Sequence, residues 1–170
     1  MNERRIDRIV DPSFVDGLDE LPLEDLRGRR DECMAEREYL SLLRRLVQGR
    51  VEILRAERET RTGEAAPVLD RLPEILGTDE GGASRGEAVR VGLPDEEMAL
   101  ARRRVERLVA DAGVSDPTSL DDDALAEATA RFSEEERRLS EARHAVIVVL
   151  DRVLDELKRR YKDDPTLALT

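Results

Sequence analysis

Leu26, Cys33, Leu40, Val47 and Leu54 recur every seven residues, flanked by Leu43, Leu46 and Ile53. On helix-forming sequence this repeat keeps one narrow apolar stripe facing a partner helix, the pattern of a coiled-coil seam. A second stripe follows helical spacing further along: Leu125, Ala128, Phe132, Leu139, Val146, Leu150, Val153 and Leu157. Composition leaves few alternatives. Aromatic residues are 2% of the chain, Trp is absent and 41% of residues are charged. Such a chain lacks the bulk for a thick interior, but a seam between long helices needs only Leu, Val, Ile and Ala. The expected fold is all-α: a long antiparallel coiled-coil helical hairpin with a shorter helix and a flexible Gly-rich connection.

The pattern divides the chain into five stretches. Residues 1–21 form an N-terminal arm, with turn signals at Asp11-Pro12 and Asp16-Gly17 and scattered anchors such as Ile9, Phe14 and Leu18. The first coiled-coil helix covers 22–61, opening at Pro22 with Glu24 and Asp25 complementing the helix dipole. Residues 62–94 read as a flexible loop, since 62–93 hold six Gly and two Pro, with a short helix over Pro67 to Gly77. Met98, Ala101, Val105, Leu108 and Ala112 predict a short helix over 95–113 that stops at Gly113. The second coiled-coil helix covers 119–162, its start marked by Ser119 and Asp122 as a variant capping box.

Both long helices carry the same polar spacing. The first copy reads Arg37, Ser41, Arg44, Gln48 and Glu52; the second reads Glu136, Ser140, Arg143, Ile147 and Asp151. Steps of four, three, four and four keep each set on one helix stripe, within roughly 80° at 100° per residue. An Arg fork reaches phosphate oxygens or the O6 and N7 of guanine, and a carboxylate accepts from the guanine N1–H and N2–H₂. Presented twice, the set suits a two-fold symmetric ligand containing phosphate and guanine. The same spacing also suits plain salt-bridge lacing of a ligand-free coiled-coil adaptor or scaffold.

The formal net charge of −11 argues against a general nucleic-acid surface, so no direct DNA binding is expected. The charge is uneven. Residues 37–61 hold seven Arg against four carboxylates, and 136–160 hold seven Lys or Arg against five. The acidic remainder suits a basic protein partner. One Cys and one His, far apart, leave nothing for a metal site, and the lone Cys33 suits a reducing, cytoplasmic setting. No run approaches the ~20 apolar residues of a membrane span. His144 beside Ser140 does not make a hydrolase, because no Gly-rich nucleophile turn accompanies it; no enzyme is expected.

The duplicated stripe resembles the E-x₃-S-x₂-R-x₃-Q-x₃-D repeat of the RsiG anti-sigma factors of spore-forming filamentous bacteria. Phe14-Val15-Asp16-Gly17-Leu18 and Ser41-Leu42-Leu43-Arg44-Arg45-Leu46 are similar to that family as well. The resemblance implies an antiparallel helical hairpin that binds cyclic di-GMP as an intercalated dimer and holds a WhiG-type sporulation sigma factor inactive. Carried over by position, it implies ligand-binding roles for Ser41, Arg44, Gln48 and Glu52 in one half-site. Glu136, Ser140, Arg143 and Asp151 form the other. Arg37 and Ile147 each break the pattern once, so Ile147 drops out and Arg37 adds a cation.

Overall fold

A computed structural model describes residues 5–63 and 92–168. Its long elements are α2 (Leu23–Thr62), α3 (Asp95–Asp111) and α4 (Asp122–Asp163), preceded by the single-turn α1 (Arg5–Ile9). Short 3₁₀ turns lie at Pro12–Val15, Pro117–Ser119 and Pro165–Ala168. The described chain is all-α, with no strand among the described residues. The helix expected over Pro67 to Gly77, and most of the Gly-rich loop, fall outside the described residues. Every position of the seven-residue repeat is buried: Leu26, Cys33, Leu40, Val47 and Leu54 are at most 3% exposed.

The chain forms two compact units, one from residues 1–41 with 140–170, the other from residues 42–139. In the first unit, Leu26 packs with Val153 and Leu157, and Leu18, Leu23, Leu154 and Tyr161 pack around them. The start of α2 thus lies against the end of α4, while Ser41 near the unit's other end meets Arg143. The two helix segments therefore run antiparallel. So little apolar area is available that arginines secure the arm. Arg160 donates to the carbonyls of Leu21 at 2.6 Å, Leu18 at 2.7 Å and Asp19 at 3.1 Å. Arg29 donates to the Phe14 carbonyl and stands 5.2 Å from the Phe14 ring centroid. Gly17 turns the chain at φ 61°, a conformation side chains resist. Arg5 pairs with the buried Glu36, and Arg8 pairs with Glu32.

In the second unit, α3 joins the rest of α2 and the start of α4. Leu43, Val51, Ala101, Val105, Leu125 and Phe132 are among its buried apolar residues. The α2 and α4 segments are again antiparallel, because Arg44 pairs with Glu136 while Arg61 pairs with Asp122. Arg61 also donates to the carbonyls of Leu120 at 2.8 Å and Pro117 at 3.0 Å, gripping the turn before α4. Helix α3 ends in a Schellman arrangement: Gly113 at φ 65° donates to Ala110, and Val114 donates back to Val109.

The capping box expected at Ser119 does not form. Asp116 and Pro117 start a 3₁₀ turn that takes in Ser119, whose hydroxyl donates to the Asp116 carbonyl. Asp121 caps α4 instead, accepting from the Ala124 N–H at 2.8 Å.

Hydrogen bonds from Arg159, then from Arg160, hold the Glu156 carboxyl down at about 2, against an ordinary 4.5. A depressed carboxyl stabilises the fold fully above pH 4.5, and that contribution is lost as pH falls through about 2. In acid titrations followed by circular dichroism, Glu156→Gln is expected to be less stable than the parent near neutrality. The difference should shrink steadily below pH 4.5.

Candidate functional site

In the second unit, Arg44, Gln48 and Glu52 step along α2 at four-residue intervals and stand in line. Arg44 donates through Nη1 to Gln48 Oε1 at 3.1 Å and to Glu136 Oε1 of α4 at 3.3 Å. Gln48 passes the chain on, donating through Nε2 to Glu52 Oε1 at 3.1 Å. One cation is thus strung between two carboxylates through an amide. All four residues are half-buried, a setting that strengthens such bonds while keeping them within reach of solvent.

In the first unit, Ser41 donates its hydroxyl to the Arg37 carbonyl one turn back at 2.7 Å. The same oxygen accepts from Nε of Arg143 on α4 at 2.9 Å. Arg143 makes no other hydrogen bond or ion pair, so both its terminal NH₂ groups are without a protein partner among the described residues. Ser140 and Asp151 are exposed and likewise unpartnered among the described residues. Arg37, the extra cation of copy one, is ion-paired with Glu38 at 2.9 Å. Ile147 is half-buried and apolar.

Of the eight residues to which the resemblance gives ligand-binding roles, six make hydrogen bonds with one another and two, Ser140 and Asp151, do not among the described residues. In each unit a residue of copy one meets a residue of copy two. Spacing along one helix cannot reveal that pairing, which depends on how antiparallel helices face each other. The carbonyl clamps of Arg160 and Arg61 also escaped the sequence, because their acceptors are backbone atoms far away in the chain. A groove of about 470 Å³ lies in the first unit, lined by Val15, Leu18, Asp19, Arg152, Asp155 and Arg159 among others. None of the eight residues lines it.

The arrangement offers recognition rather than bond-making. Arginine forks supply paired donors, and Glu52, Glu136 and Asp151 supply anionic acceptors. Cys33 is fully buried, and desolvation, followed by the charge of Glu32, pushes its thiol up to about 12, so it stays protonated and inert. His144 is exposed on α4. Among the described residues no group of His, Cys, Asp or Glu is placed to hold a metal ion, and no helix is long and apolar enough to cross a membrane.

Residues 12–76 match the family model described as RsiG-like. That segment takes in the arm from its 3₁₀ turn onward and the whole of α2. The match covers the N-terminal part of the chain, and α3 and α4 lie outside it. No curated protein matches the chain.

The Arg44–Glu136 pair is 32% and 28% exposed, so water and salt weaken it. A double-mutant cycle with Arg44→Ala and Glu136→Ala, read by urea denaturation, should give a coupling of about 0.5 to 1 kcal/mol in low salt. It should decline in 1 M NaCl, where screening extends to about 3 Å.

Proposed function

We propose, from the RsiG-like character of residues 12–76, that this chain is an anti-sigma factor gated by cyclic di-GMP and directed at a WhiG-type sigma factor. The observation that carries the reading is the cross-helix meeting of the two motif copies, Ser41 with Arg143 and Arg44 with Glu136. A ligand recognised by such residues touches α2 and α4 together and so acts on how the two helices are held.

The residues fit the ligand's chemistry. Cyclic di-GMP supplies anionic phosphates and guanine edges that carry both acceptors and donors. The terminal NH₂ groups of Arg143, without a partner among the described residues, and the remaining N–H groups of Arg44 match phosphate oxygens or the guanine O6 and N7. Asp151, exposed and without a partner among the described residues, together with Glu52 and Glu136, matches the guanine N1–H and N2–H₂. Ser140 and Gln48 add polar contacts.

Gating needs the ligand to favour one conformation, and only the difference in its affinity for two states can shift their balance. A guanine edge accepted by Glu136 competes with the Arg44 bond that ties α2 to α4 there, so the ligand acts on that cross-helix tie. The acidic excess of the chain, −11 in all, complements basic surfaces that a sigma factor uses for promoter and polymerase. Covering them blocks transcription by that sigma factor.

Calorimetric titration of a purified WhiG-type sigma factor into this protein, with and without cyclic di-GMP, tests the gating. Affinity should rise on the order of 5- to 150-fold with the nucleotide, the usual range of allosteric coupling. Equal affinity in both conditions overturns the gating, and no binding in either leaves a ligand-free coiled-coil adaptor as the better description.

A further inference from the structure

The serine of copy one is committed in a way the serine of copy two is not. A hydroxyl has one proton and two lone pairs. Ser41 gives its proton to the Arg37 carbonyl at 2.7 Å and one lone pair to Arg143 Nε at 2.9 Å. The back-bond to the preceding turn fixes the direction of the oxygen, and the half-buried position of Ser41 leaves it little room to turn away. Ser140, in the matching position of copy two, is exposed and has no such partner among the described residues.

A guanidinium is planar and rigid, so holding its Nε–H, with the stem anchored on α4, narrows the plane and heading open to the whole group. Arg143 is held at that one point. Its two terminal NH₂ groups, which present parallel N–H bonds at the far end, keep no partner among the described residues. The side edge, formed by Nε and its neighbouring NH₂, is blocked by Ser41. The end-on pair is then the one set of parallel N–H bonds left for a bidentate acceptor.

From this geometry we infer that Ser41 is a positioning residue that aims Arg143 end-on at an anionic or guanine acceptor, and is not itself a ligand contact. The inference rests on cyclic di-GMP being the ligand. It gives the two serines of the repeat separate tasks: Ser41 orients an arginine, whereas Ser140 is open to the ligand. It also explains how the first copy contributes to recognition through a residue of the second. Pre-aiming removes rotamer freedom before binding, so its loss weakens affinity without removing any ligand contact.

The test combines a binding cycle with a reading of the free protein. Cyclic di-GMP is titrated calorimetrically into the parent, Ser41→Ala, Ser41→Thr, Arg143→Ala and the Ser41→Ala, Arg143→Ala pair, each checked for unchanged helicity. Ser41→Ala should weaken binding about tenfold, and Ser41→Thr, whose hydroxyl can make the same back-bond, should restore it. In the Arg143→Ala background the serine change should have no further effect, because its route to the ligand is gone. Without ligand, NMR should show slowed hydrogen exchange at the Arg143 Nε–H, assigned by its loss in Arg143→Lys and accelerated in Ser41→Ala. Additive effects in the double variant, unchanged affinity in Ser41→Ala or Arg143→Ala, or fast exchange in the parent would overturn the role given to Ser41. A parent that binds no cyclic di-GMP instead overturns the ligand reading, and this inference with it.

Discussion

Everything in this protein depends on burying a narrow apolar stripe between antiparallel helix segments. The seam residues are mostly Leu, Val and Ala, with Phe132 and Phe14 as the only buried aromatics among the described residues. A stripe this thin cannot also cover the N-terminal arm or the turn before α4. Arginine side chains take over at those places, their forks meeting backbone carbonyls. The high charge of the chain is therefore structural as well as solubilising. Arg160 and Arg61 do the same task in separate units.

The same constraint shapes the candidate site. A residue beside a two-helix seam is close to the partner helix yet never far from water, so polar side chains there can pair across without being sealed in. Arg44 and Glu136 are each about a third exposed. Such bonds are weak enough to be exchanged for bonds to a ligand, and directional enough to hold side chains in place until then. A fully buried ion pair would resist that exchange, while a fully exposed one would not hold its geometry.

The seam was legible in the sequence because it depends on spacing alone. Leu26 through Leu54 and Leu125 through Leu157 fall where a helical period puts them, and burial follows. The start of α4 was not, since Ser119 and Asp121 are both good caps and the choice was made by Asp116-Pro117, which draws Ser119 into a 3₁₀ turn. Within the site, the residue types and their helix faces could be read, but partner choice could not. Nothing in the motif distinguishes Ser41, locked between Arg37 and Arg143, from Ser140, which stands open. That difference arises from the environment each serine meets after folding, and it gives near-identical letters unequal contacts.

Recognition of cyclic di-GMP by the two motif copies together, as proposed, requires arginines from both helices. Equilibrium dialysis of the labelled nucleotide against the parent and an Arg44→Ala, Arg143→Ala variant of unchanged helicity tests it most directly. The parent should bind saturably, and the variant should lose at least about a hundredfold in affinity, about 2.7 kcal/mol or more for two charge-assisted donors. Equal binding by the two proteins, or none by the parent, would contradict it.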